Sequence, residues 1–181
     1  MAKCLILYSS LSGNTEKVAH RIRGAFRQNG WECDMFKIVK GFDLWHPPFD
    51  FDNYDFLCVG SPTIMALPTQ EVVELMRQHS RKKSGMRKVE PGPRGAIAFA
   101  TYGGAHLGPR EADACLALLE IEIEHLGFKS VGRFCCPGKY VDYATPEWYH
   151  GDIRARPNAQ DLQKAADFVQ EVLQSGQVQV A

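Results

Sequence analysis

The strongest constraint on this chain is a rhythm: short apolar runs alternate with segments whose apolar residues recur every three or four positions. Residues 3–8 (Lys-Cys-Leu-Ile-Leu-Tyr) form the first run and lead into a Ser/Gly/Asn-rich loop. Val18, Ile22, Ala25 and Phe26 then recur at helical spacing, and Asn29-Gly30 marks the stop. Residues 32–39 read as a second strand, 55–60 as a third, 95–100 as a fourth and 129–136 as a fifth. A helix is expected from about Thr69 (Val72, Val73, Met76), another along Ala112, Leu116, Leu119, Ile123 and Leu126, and a last one along Leu162, Ala165, Val169 and Leu173, capped near Asn158. Residues 41–53, rich in proline and aspartate, read instead as an irregular crossover. Continuous apolar strands alternating with helices imply a parallel sheet covered on both faces.

With 181 residues, one domain spanning 1–181 is expected. Five such strands have two common open arrangements, flavodoxin-like and truncated Rossmann. In either, ligands sit beyond the carboxyl ends of the strands, so the places to search follow residues 8, 39, 60, 100 and 136. Three of those five loops are rich in Ser, Thr and Gly. The 21 basic and 21 acidic residues balance, which gives no global attraction to nucleic acid or to an anionic membrane. No apolar run approaches the roughly 20 residues needed to cross a bilayer, and the apolar stretch at the N-terminus is too short for a signal peptide. A cytoplasmic location is expected. The cysteines (Cys4, Cys33, Cys58, Cys115, Cys135, Cys136) lack the paired spacings of zinc or iron–sulfur sites. Cys135 and Cys136, adjacent on a strand, should point to opposite faces and pack rather than share a metal.

The first loop carries the chemistry. Ser9-Ser10-Leu11-Ser12-Gly13-Asn14-Thr15 places four hydroxyls, one amide and one glycine between a strand and a helix. A helix N-terminus offers unpaired N–H groups and a positive dipole end, hence an anion site. Gly13 permits a tight turn, and Ser10, Ser12 and Thr15 can donate to phosphate oxygens. The loop contains no Lys and no Gly-Lys-Ser/Thr ending, which disfavours nucleotide triphosphate hydrolysis. No G-x-G-x-x-G follows the first strand, which argues against a dinucleotide. The C-x5-R loop of a low-molecular-weight phosphatase and the acidic residues of a receiver domain are missing as well. What remains is a terminal phosphate monoester bound by neutral donors.

The stretch from Ile6 to Ile22, seventeen residues, resembles the flavodoxin fingerprint at every specified position, and the order of elements resembles a flavodoxin along nearly the whole chain. The resemblance implies an α/β three-layer sandwich, a five-stranded parallel sheet of order 2-1-3-4-5 with helices on both faces. It also implies FMN held by the loop Ser9–Thr15, with Ser10, Ser12, Asn14 and Thr15 and the N–H groups of Leu11 to Thr15 on the phosphate. Ser61, Pro62, Thr63, Ile64 and Met65 then correspond to the second flavin loop, and Thr101, Tyr102, Gly103 and Gly104 to the third, with the ring between them. His106 is close enough in sequence to reach the flavin edge, where it could tune protonation, or else is simply solvated.

Departures from that family bear on function. Met65 stands where an aromatic residue is expected, two glycines follow Tyr102, and no acidic cluster surrounds the site. Weak stacking and few acids suggest a less negative flavin couple, and open glycine loops leave room for a substrate or partner. Tyr102 either stacks on the ring or faces away. Two functions follow: an electron-transfer protein carrying electrons between redox partners through FMN, and an FMN-dependent NAD(P)H:quinone-type oxidoreductase reducing a small-molecule acceptor. The carrier is placed first, and a flavin-free interaction domain is disfavoured by the intact phosphate loop. No catalytic side chain is required, because the flavin carries the chemistry. Residues 77–94 hold seven basic residues (Arg77, Arg81, Lys82, Lys83, Arg87, Lys88, Arg94) against Glu90. They form a solvated end or, alternatively, a dock for an acidic redox partner. His20 and His125 fall on helices and read as structural. The aromatic segment 137–157 leaves the ligand side of the sheet, with Trp148, Tyr149 or His150 as candidates for covering the flavin, binding a second copy in a homodimer, or packing on the domain.

Overall fold

The computed structural model describes residues 1–84, 92–103, 107–139 and 153–176. Five strands form one parallel sheet: β1 (Lys3–Tyr8), β2 (Glu32–Lys37), β3 (Phe56–Pro62), β4 (Gly95–Tyr102) and β5 (Lys129–Pro137). Their spatial order is β2-β1-β3-β4-β5, so the expected order 2-1-3-4-5 is observed. β1, β3 and β4 lie inside the sheet with both faces covered, which is why they read as unbroken apolar runs.

Four helices cover the sheet: α1 (Asn14–Gln28), α2 (Gln70–Ser84), α3 (Asp113–His125) and α4 (Ala159–Gln174). On one face, Val18, Ile22 and Phe26 of α1 and Ala165 and Val169 of α4 close over Cys4, Ile6, Cys58, Ile97 and Phe99. On the other, Val72 and Met76 of α2 and Leu116, Leu119 and Ile123 of α3 close over Leu5, Leu7, Leu57, Val59 and Ala98. At roughly 1.5–3 kcal/mol for each large side chain fully removed from water, these two layers dominate the stability.

The crossover over residues 41–53 is irregular, as expected, and ends in a single 3-10 turn, Phe51–Asn53, capped by the Asp50 side chain on the Asp52 N–H. A second 3-10 turn, Gly108–Ala112, leads into α3. Asn158 caps α4: its Oδ1 accepts from the Gln160 and Asp161 N–H groups, and the Asp161 carboxylate accepts from the Asn158 N–H. Cys135 packs against the α2/α3 layer and Cys136 lies in the α1/α4 layer, on opposite faces as the strand period requires. Burial pushes the thiols of Cys115 and Cys136 up to about 12, so neither is a reactive thiolate near neutral pH. Among the described residues no helix is long and apolar enough to cross a membrane.

The basic run of the sequence divides. Arg77 donates to the buried carboxylate of Glu122 at 2.6 Å. Arg94 donates to the Phe51 carbonyl at 2.9 Å and lies over the Phe128 ring, 4.2 Å from its centroid. Both therefore tie elements together. Residues 85–91, with Arg87 and Lys88, fall outside the described residues.

Candidate functional site

Chain connectivity reverses at β1: α1 carries the chain to β2 on one side, and the next crossover carries it to β3 on the other. Such a switch point opens a crevice at the carboxyl ends of the strands, because the flanking loops diverge there. A cleft of about 150 Å³ lies at that end, lined by Leu11, Ser12, Asn14, Pro62, Thr63, Ile64, Thr101, Tyr102, Gly103, Gly138 and Lys139.

The first wall is the loop before α1. Gly13 sits at φ +83, a left-handed conformation that suits glycine, and passes the chain directly into the helix. Ser10 Oγ accepts from the Glu16 N–H at 3.2 Å, satisfying one donor of the first turn. Among the described residues, none accepts from the N–H groups of Leu11, Ser12, Gly13, Asn14 or Thr15. These donors lie where the helix dipole is positive. Asn14 and Thr15 are buried and held by long-range contacts. Asn14 Nδ2 donates to Ser12 Oγ at 3.0 Å and to the Lys139 carbonyl at 2.9 Å. Thr15 and Thr101 share a hydroxyl–hydroxyl bond of 2.8 Å. Behind the loop, Glu16 accepts from Tyr8 Oη at 2.8 Å and from Lys37 Nζ at 3.0 Å. Lys37 first, then Tyr8, hold the Glu16 carboxyl below the usual carboxylate range.

The second wall is the loop after β3. Thr63 N–H donates to the Thr101 carbonyl at 2.9 Å, which extends the strand pairing to the rim. Ile64 and Leu67 then exchange two backbone bonds, of 2.7 and 3.0 Å, around Met65 and Ala66 at φ 50 and 65. This is a two-residue hairpin tip with both φ positive, the pattern of a type I′ turn, built without the usual Asn-Gly. Met65 at the tip is 95 % exposed. Ser61, by contrast, is fully buried. Its hydroxyl donates to the Pro62 carbonyl at 2.8 Å and accepts from the Thr69 N–H at 2.9 Å, closing the base of this loop instead of facing the cleft.

The third wall joins the ends of β4 and β5. Tyr102 is buried, packs in the α2/α3 layer, and its carbonyl accepts from the Gly138 N–H at 2.8 Å. Burial pushes its phenol up to about 12. Thus Tyr102 packs into the sheet instead of standing free over the cleft. A Cβ on Gly138 would lie 2.9 Å from Asn14 Nδ2, so this close approach needs glycine. Beyond Tyr102 lies a second, wider hollow of about 560 Å³, whose polar side holds Lys164 and the Arg156–Asp161 ion pair.

The sequence-predicted site residues therefore fall into three groups. Leu11, Ser12, Asn14, Pro62, Thr63, Ile64, Thr101, Tyr102 and Gly103 come together around the cleft. Ser9, Ser10, Gly13, Thr15, Ser61 and Met65 support its walls or form its rim without lining it. Gly104 and His106, and the aromatic residues Trp148, Tyr149 and His150, lie outside the described residues. Sequence reasoning missed Gly138 and Lys139 as lining residues, although they directly follow the fifth strand, where the carboxyl-end rule says to look.

No protein-family model matches this chain. It is 26% identical over 174 residues to an uncharacterized protein of Methanocaldococcus jannaschii, covering 96% of this chain and 99% of that one. Among solved structures, Flavodoxin 2 from Bacillus cereus matches with a TM-score of 0.67 at 18% identity, over 96% of this chain and 99% of that one. A flavodoxin, WrbA-like protein from Agrobacterium tumefaciens matches with a TM-score of 0.63 at 14% identity, over 99% of this chain and 100% of that one. The fold is flavodoxin-like.

Proposed function

We propose that the cleft binds FMN and that the protein carries electrons between redox partners through it. The observation that carries this reading is the set of N–H groups from Leu11 to Thr15, at the positive end of α1, for which no described residue is an acceptor, beside a cleft of flavin-compatible lining. Those donors fit the terminal phosphate of FMN, with Ser10, Ser12 and Thr15 as the nearby hydroxyls. The lining is largely apolar, with Leu11, Pro62, Ile64 and Gly103 drawn from its three walls, and suits a planar aromatic ring. FMN, when bound, supplies reversible electron transfer; the chain's own part is to bind, orient and shield it. Asn14 fixes the phosphate loop against residue 139, and the paired Thr63 and Thr101 backbones fix the separation of the other two walls.

Exposed Ile64, Met65 and Leu67 support the carrier reading, because they place apolar surface on one rim of the site that a protein partner could cover. A second reading, an FMN-dependent NAD(P)H:quinone-type oxidoreductase, is favoured by one specific feature: Met65 projects into solvent where an aromatic cover is expected, leaving an approach for a small acceptor.

The test is uptake of FMN followed by stepwise anaerobic reduction of the loaded protein. Two resolved one-electron steps support the carrier. A single two-electron step, with turnover of NAD(P)H and a quinone, moves the assignment to the reductase. A protein that takes up no FMN overturns both.

A further inference from the structure

The phosphate loop contains no lysine, yet the fold places one beside it. Lys139 is the single residue with a formal charge among the described residues lining the cleft. Its backbone is held from both sides: the N–H donates to the Arg156 carbonyl at 2.8 Å, and the carbonyl accepts from Asn14 Nδ2 at 2.9 Å. The preceding Gly138 is pressed against the Asn14 side chain, so residue 139 cannot move away without disturbing the first turn of α1. The carboxylates in the first turns of the adjoining helices are already engaged, Glu16 by Lys37 and Asp161 by Arg156. Nothing described on the cleft wall offsets the lysine, and its charge adds to the helix dipole.

We propose that Lys139 is the counter-ion of the cleft's phosphate and the residue that makes the site select a phosphate monoester over its uncharged parent alcohol. This rests on the phosphate half of the function proposed above and not on its electron-transfer half. A lysine binds phosphate as a flexible point charge, so an anchored backbone with a free side chain is the arrangement such a role requires.

The experiment compares the full chain with Lys139→Met and Lys139→Arg, using FMN, riboflavin and inorganic phosphate as separate probes. Flavin affinity is read by fluorescence quenching at two salt concentrations, and phosphate binding by the amide resonances of Leu11 to Thr15. Expected is about a tenfold loss of FMN affinity in Lys139→Met, with riboflavin unchanged within about twofold and a shallower salt dependence. Lys139→Arg should stay within about threefold of the parent. Equal weakening of FMN and riboflavin, or no change in either, overturns the proposal. A parent protein that binds phosphate at residues 11–15 but neither flavin overturns the flavin reading alone. Lys139 is then judged on phosphate: weaker binding in Lys139→Met upholds it, and unchanged binding overturns it. A parent that binds neither phosphate nor FMN overturns both.

Discussion

The loops after β1 and β3 face the same cleft and are built on opposite principles. The first is polar apart from Leu11 and buried at its two ends, with Asn14 and Thr15 tied to Lys139 and Thr101, which are 125 and 86 positions away. Among the described residues none accepts from its N–H groups from Leu11 to Thr15, where the helix dipole is positive. The second is apolar and exposed at its tip, is closed by its own two hairpin bonds, and holds two non-glycine residues at positive φ. Long-range side-chain bonds hold the first. Local backbone bonds hold the second, which places strain and apolar surface at the rim, where a ring or a partner would meet it.

Breaking the first loop should have the larger effect. Thr15→Val keeps the shape but leaves the Thr101 hydroxyl, in a residue only 4 % exposed, without its partner. The expected loss is about 1–3 kcal/mol of unfolding free energy, read by urea titration. A loss well below 1 kcal/mol would mean that the long-range tie does not hold this loop. In the second loop the sign reverses. Met65→Asn combined with Ala66→Gly supplies the residues that positive φ favours, and should stabilise the chain by about 1 kcal/mol. Phosphate binding should be unchanged; a destabilised double variant would show that the turn is held by contacts of the native side chains.

The smallest effect concerns the support behind the first loop. Lys37 and Tyr8 hold the Glu16 carboxyl below its ordinary range. A lowered folded-state pKa gives stability that is present above the unfolded carboxylate pKa, about 4.3, and is lost as pH falls through the folded value. Glu16→Gln should therefore cost about 0.5 kcal/mol at pH 7, consistent with a partly exposed pair. That difference should shrink towards zero in thermal melts taken below pH 4. A gap that persists in acid would assign the effect to packing instead.

Much of this molecule was legible before any coordinates. β1 runs over residues 3–8 as read, because a strand buried on both faces is a continuous apolar run and needs no partner to be recognised. The Asn158 cap and the stop at Asn29-Gly30 were readable because capping is local. The Ser/Gly/Asn loop before α1 was readable for the same reason: its hydroxyls, amide and glycine lie within seven consecutive residues. The tie from the Thr69 N–H to the Ser61 hydroxyl was not readable, since a hydroxyl in a Ser/Pro/Thr loop carries no mark of whether it faces outward or latches its own turn. Tyr102 was left open between stacking and facing away, and the structure shows it packed into the α2/α3 layer.

The sequence alone determined the parallel α/β class, the end of the sheet at which the cleft opens and the hydroxyl-rich loop that starts α1, because each depends on periodicity or on near neighbours. Only the tertiary structure decided which groups stand across the cleft from that loop. The tie between Asn14 and Lys139, the buried Thr15–Thr101 pair, and the arrival of one lysine beside a lysine-free loop depend on the order in which five strands lie side by side. Contacts across a sheet follow the register between strands distant in sequence, and no local pattern encodes which distant residue arrives.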